Sequence, residues 1–216
     1  MEALGWGTFN FHQMRSAWKH PVQLSRAQVN SMTWKKTQSE EETEGDLKSA
    51  YERARTSRGK VSNIFKAQSL DPKSLGAHLD LYLSILFGGG KSSRKQREMI
   101  AVIVSAQNGC QYCVAHHSAA LGRYVKEEGF IAKLIENPLV VALPAKDRAM
   151  VEYAITLTRN PKSLTEKDIN ELRKQGLVDE EILNLALVAA YFNFVNRLAS
   201  GLGVELEDEG QTQYRY

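Results

Sequence analysis

Residues 97–117 read REMIAVIVSAQNGCQYCVAHH and contain the only two cysteines of the chain, Cys110 and Cys113. Glu98 precedes Cys110 by twelve residues, and His117 follows Cys113 by four. Ser93 opens the apolar run with Gln96 three residues on, a capping-box pattern. A helix is therefore predicted from about Arg94 to Asn108–Gly109, where Gly109 can take the left-handed cap. A second helix is predicted to begin around Cys110. Cys113 falls in its first turn, where unpaired backbone N–H groups and the helix dipole favour a negative charge. Cys110 and Cys113 are then i,i+3 neighbours, and Cys113 and His117 are i,i+4 neighbours, so all three share one face. A thiol reacts as its thiolate, and a base nearby takes up the proton. Glu98 enters an apolar run beside Met99, Ile100, Val102, Ile103 and Val104. It is either on the wet face or held against the cysteines.

Helical periodicity extends through most of the chain from Glu41 onward. Candidate helices run from Glu41 to Arg55, Pro72 to Phe87, Ser93 to Asn108, Cys110 to Gly122, Glu127 to Asn137, Lys146 to Arg159, Glu166 to Gln175 and Glu180 to Leu202. Asp71-Pro72, Gly88-Gly89-Gly90, Asn137-Pro138, Asn160-Pro161 and Gly176 punctuate them. Thr165 with Asp168, and Asp179 before Glu180-Glu181, read as N-caps. No alternating strand pattern persists, so an all-α, multi-helix bundle is expected. The helix from Glu180 to Leu202 is apolar around most of its circumference, which implies burial on several sides and a subunit interface. Asn193 and Asn196 on it read as partners of neighbouring backbone; shaping the thiol pocket is the alternative.

With 216 residues and 43% hydrophobic content, the chain suits one compact domain. A mean hydropathy of −0.38 argues for solubility. The net charge of +3 is too small to suggest a nucleic-acid partner. No uninterrupted apolar run reaches the roughly 20 residues of a membrane span; the longest candidate, Ile182 to Val195, is broken by Asn184 and Asn193. Met1 to Ser31 differs from the rest: Glu2 is its only acid, and it has no sustained period. A transit peptide is one reading of it. The preferred reading is an extension or added arm before Met32, disordered unless it packs on a neighbouring subunit, with a single helical domain over 32–216.

The spacing of Glu98, Cys110, Cys113 and His117 resembles the alkylhydroperoxidase D and carboxymuconolactone decarboxylase superfamily, and most closely its peroxidase-related branch. AHLDLYLSILFG (Ala77 to Gly88) and YFNFVNRLASGLGVEL (Tyr191 to Leu206) extend the likeness, from about Trp34 to Glu207. The resemblance implies an alkylhydroperoxidase D-like helical fold, an oligomer (trimer or hexamer) and a cofactor-free thiol peroxidase. It implies that Cys113 attacks the peroxide, that Cys110 resolves the product, and that Glu98 and His117 relay protons. The implied partners are a hydroperoxide and a thiol or dithiol reductant. Alkylhydroperoxidase D itself has a His just before its second cysteine; Tyr112 stands there here, and His116 lies three residues past Cys113.

Other chemistries compete. The pair could be inert buried thiols. Cys110 and Cys113 with His116 or His117 could hold zinc, but no second Cys/His cluster supplies a fourth ligand, so no metal site is expected. A general thiol-disulfide oxidoreductase and a redox-sensing module are the remaining alternatives. A working dithiol favours a reducing compartment, hence the cytoplasm. Glu98 could be a solvated charge after Arg94, Lys95 and Arg97. His78 reads as a hydrogen-bonded structural histidine.

Overall fold

The computed structural model describes residues 32–41 and 43–207. The expectations for Met1 to Ser31 lie outside the described residues. The described chain is all-helical. Its helices are α1 (Gly45–Arg58), α2 (Asn63–Lys66), α3 (Pro72–Phe87), α4 (Arg94–Gln107), α5 (Gln111–Leu121), α6 (Phe130–Glu136), α7 (Ala145–Arg159), α8 (Glu166–Lys174) and α9 (Asp179–Leu202), with a short 3₁₀ turn over Pro161–Ser163.

Helix α4 runs through the centre and packs against α5, α7 and α9. Every residue from Arg97 to Ser105 is buried, so the helix has no wet face along that stretch. Its start is the capping box expected from sequence. The Gln96 backbone N–H donates to Ser93 Oγ at 3.2 Å, and the Ser93 N–H donates to Gln96 Oε1 at 2.8 Å. Its end is closed by Gly109 at φ +69°, with the Cys110 N–H donating to Ser105 O at 3.0 Å. This tight turn makes α4 and α5 an antiparallel pair, which brings residues early in α4 opposite residues late in α5.

Helix α9 forms the opposite wall. Leu185, Val188, Ala189, Phe192, Val195 and Ala199 are buried in the core. By length and composition α9 could cross a membrane, although Asn184 and Asn193 interrupt its apolar run; half of its most apolar window is buried inside the fold. Residues Leu183, Leu187 and Phe194 stay exposed, and their spacing puts them on one stripe. The segment after α9 is tied to the start of the described chain. The Trp34 N–H donates to Leu202 O, and the Glu205 N–H donates to Met32 O. Gly203 lies at φ +61° directly beneath the Trp34 ring, where a Cβ would sit 2.2 Å from the indole.

Differences from the sequence reading are local. Helix α1 starts at Gly45 rather than Glu41 and continues to Arg58. Helix α2 is four residues long, too short to show a period. Val178, not Asp179, is the N-cap of α9, and its N–H donates to Glu181 Oε2 at 3.0 Å.

Candidate active site

The α4–α5 hairpin assembles the four residues singled out by sequence. Glu98 is fully buried, and its Oε2 accepts from His117 Nδ1 at 2.7 Å. Its Oε1 accepts from Arg94 Nε at 2.7 Å and from Arg94 Nη2. Of the two sequence alternatives, Glu98 is therefore held inward. Burial opposes its charge, but His117 and Arg94 outweigh that, and its carboxyl is held below the ordinary range. Arg94 is stacked on the Phe87 ring at 3.7 Å. His117 is braced by the edge of Phe192, with ring centroids 4.5 Å apart. With Nδ1 committed to Glu98, Nε2 is the nitrogen left for proton traffic.

Cys110 and Cys113 are free thiols, both buried, with their sulfurs 2.9 Å apart. Cys110 is the N-cap residue of α5, and Cys113 lies in the first turn. Their titrations are tied together, since one proton can serve both sulfurs. The Cys110 thiol is lowered to about 7, chiefly because Cys113 donates to it. Burial opposes this, and the Cys113 backbone N–H and the side chains of Ser200 and Asn196 add to the lowering. Cys113 is pushed well above the ordinary thiol range by the same pairing and by burial. The sequence reading placed Cys113 in the first turn of this helix, and it lies there; the lowering of Cys110 comes first from its pairing with Cys113.

A pocket of about 590 Å³, counting its open mouth, reaches the site. Cys113, His117 and Glu98 line it, whereas Cys110 does not. Its other walls are mainly aromatic and aliphatic, from Phe65 and Tyr82 to Tyr191 and Val195, with Arg58 at one side.

Three contributors lie outside the four-residue pattern. Asn196 donates to Ser105 Oγ at 3.0 Å, accepts from Asn108 Nδ2 at 2.9 Å, and lowers both thiols. It thus bonds neighbouring side chains rather than backbone and lies beside the thiol pair, whereas Asn193 donates to Ala189 O and Thr158 Oγ1. A polar residue on an otherwise apolar helix was the available signal. Arg94 is the second, and its i,i+4 relation to Glu98 was legible. Glu207 is the third. Its Oε2 pairs with His116 Nε2 at 2.9 Å, and its Oε1 accepts from Tyr112 Oη at 3.0 Å and from the Asn63 N–H at 2.7 Å. Burial works to raise its carboxyl, but His116 and the backbone donors bring it down to about 2. His116 and His117 thus turn to different carboxylates. Among the described residues no three His, Cys, Asp or Glu side chains converge as metal ligands.

The carboxymuconolactone decarboxylase family model matches residues 72–135, a span that holds all four residues. No curated protein matches the chain. Among solved structures, an uncharacterized peroxidase-related protein from Silicibacter sp. TM1040 is 32% identical, with a TM-score of 0.71 over 79% of this chain and 89% of that one. The alkylhydroperoxidase D core of a peroxidase-related protein from Ralstonia eutropha JMP134 is 26% identical, with a TM-score of 0.76 over 84% of this chain and 95% of that one. The debrominase Bmp8 shares the fold at 18% identity, with a TM-score of 0.68 over 85% of this chain and 96% of that one. The identity and near-complete coverage of the Silicibacter relative, with a family match spanning both cysteines, mean that this chain belongs to the alkylhydroperoxidase D and carboxymuconolactone decarboxylase superfamily.

Proposed function

We propose that the protein is a cofactor-free thiol peroxidase that reduces hydroperoxides through Cys110 and Cys113. The observation that carries this reading is the pocket-lining Cys113 thiol, with a second thiol 2.9 Å behind it and the His117–Glu98 pair on the same pocket. His117 Nε2 takes the first proton of the thiol pair. The remaining proton moves onto Cys110, and the Cys113 thiolate attacks the near oxygen of the hydroperoxide. An S–O bond forms, the O–O bond breaks, and Cys113 becomes a sulfenic acid. The alkoxide leaves with the proton from His117, as an alcohol. Cys110 then gives its proton to His117 and attacks the Cys113 sulfur. Hydroxide departs, takes that proton and becomes water, and a Cys110–Cys113 disulfide remains. A dithiol donor supplies two electrons and two protons by exchange.

Cys113 is assigned the attack because it meets the pocket, and the two thiols share one proton. The burial of both sulfurs favours a small substrate over a folded protein one, which argues against the general oxidoreductase. The exposed stripe of Leu183, Leu187 and Phe194, with Leu81 on neighbouring α3, supports a homo-oligomer, and we place it as a trimer or hexamer on the resemblance. A recyclable dithiol supports a reducing, cytoplasmic setting.

Peroxide consumption with several thiol and dithiol donors tests the proposal. Wild type should turn over and Cys113→Ser should not, while Cys110→Ser should trap a dimedone-reactive sulfenic acid on Cys113. Dimedone labelling of Cys110 in Cys113→Ser, with turnover kept, would reverse the assignment.

A further inference from the structure

His78, on α3, is buried, and its Nε2 lies 2.8 Å from Tyr191 Oη on α9. Its Nδ1 lies 2.8 Å from Gln68 Nε2 and 3.1 Å from Gln68 Oε1. The Gln68 orientation is fixed independently, because the same Nε2 donates to Ile64 O at 2.9 Å. A flipped amide would set two oxygens against each other there. Gln68 Nε2 carries two hydrogens, so one serves Ile64 O and the other serves His78 Nδ1. A proton on Nδ1 would then oppose an N–H at 2.8 Å. His78 is therefore the tautomer with its hydrogen on Nε2, and that hydrogen is donated to the Tyr191 oxygen.

This leaves the phenol hydrogen of Tyr191 unspent. Tyr191 is itself buried and lines the same pocket as Cys113 and His117. Among the described residues His78 is the one hydrogen-bond partner of the phenol oxygen. The result is an O–H held by a buried chain and available to whatever occupies the pocket.

We infer that Tyr191 is a catalytic hydrogen-bond donor to the departing oxygen of the hydroperoxide, and that His78 and Gln68 are positioning residues that keep its hydrogen turned into the pocket. The inference rests on the peroxidase reading. As the Cys113–O bond forms and the O–O bond breaks, negative charge gathers on the outer oxygen. A preformed donor stabilises that charge without reorganising. Tyr191 keeps its own proton; the one that completes the alcohol comes from His117. Both donors suit the task at neutral pH. Burial holds His78 down to about 4, so it stays neutral and keeps a single tautomer. Burial, with the neighbouring Tyr82 and Cys113, holds the Tyr191 phenol well above its ordinary value.

The test compares two oxidants, tert-butyl hydroperoxide, which releases a basic alkoxide, and peracetic acid, which releases acetate and needs no donor. Tyr191→Phe should slow the reaction with tert-butyl hydroperoxide by about 10²- to 10³-fold, the usual loss of one such donor. Its reaction with peracetic acid and its alkylation by iodoacetamide should stay near wild type. Gln68→Leu, at a half-buried position, keeps the phenol but frees the tautomer, and should show a smaller loss with the same substrate pattern. Equal rates for wild type and Tyr191→Phe on both oxidants would overturn the inference alone. So would an equal loss on both oxidants and in alkylation, which marks a structural role. A wild type that consumes neither oxidant would overturn the peroxidase reading and this inference with it.

Discussion

Glu98 and His117 are nineteen residues apart in sequence, yet their side chains meet at 2.7 Å, with the carboxylate fully buried. The tight turn at Gly109 makes this possible by folding α5 back along α4. A buried carboxylate is costly unless it is paired and hydrogen-bonded. Here Arg94 takes one oxygen and His117 the other. The arrangement commits His117 Nδ1 to Glu98 and leaves Nε2 for proton traffic.

Removing the carboxylate should therefore affect both rate and stability. Glu98→Gln is expected to slow peroxide reduction by about 10²- to 10⁴-fold, the range for lost acid-base catalysis. It should also cost about 3 kcal/mol in denaturant unfolding, because Arg94 loses its buried partner. His117→Gln should show the rate loss with a smaller stability loss. Wild-type rates in both variants would remove the relay from the mechanism.

The thiol pair sets its own pH dependence. Cys110 is lowered to about 7 by the Cys113 donor, so thiolate should accumulate as pH rises through that value. Ultraviolet thiolate absorbance should rise with a midpoint about there in wild type. In Cys113→Ser the thiol donor is exchanged for a hydroxyl and the midpoint should move upward. A wild-type midpoint at the ordinary thiol value, with no change in the variant, would contradict the shared proton.

Glu207 predicts acid sensitivity. Its carboxyl is about 2 in the folded chain against an ordinary 4.5. A depressed carboxyl gives stability that is complete above the unfolded value and is lost as pH falls toward the folded one. Thermal melting should therefore fall across that window, and Glu207→Gln should flatten part of the fall. Glu98 is shifted in the same direction and remains in the variant, so some slope should persist. Identical slopes would show that the Glu207–His116 pair is not formed in solution.

The helix layout and the four-residue pattern were legible because each rests on local signals: period, caps and spacing. Ser93 and Gln96 fixed the start of α4, and Gly109 fixed its end. The inward turn of Glu98 was ambiguous, since sequence cannot tell a wet charge from a paired buried one. Glu207 gave no local signal at all; its partners Tyr112 and His116 lie about ninety residues away and come near it only through the tertiary fold. The pairing of the two thiols followed from their spacing, but the reach of Asn196 and Ser200 across from α9 to Cys110 did not, because it too is set by the tertiary fold.

Assembly should follow the exposed stripe on α9. Light scattering on the full chain should give a trimer or hexamer, and Leu187→Glu, at the middle of the stripe, should dissociate it. A single species at 24.2 kDa with wild-type activity would contradict the proposed assembly.

The most direct test of the central claim is a single turnover without reductant. Reduced protein mixed with a slight excess of tert-butyl hydroperoxide is assayed for remaining peroxide, for free thiols and for mass. The account predicts that one peroxide is consumed for each pair of thiols lost. The intact mass should fall by two hydrogens and recover with dithiothreitol, the mark of a Cys110–Cys113 disulfide. Peroxide left unconsumed with both thiols still free would contradict it.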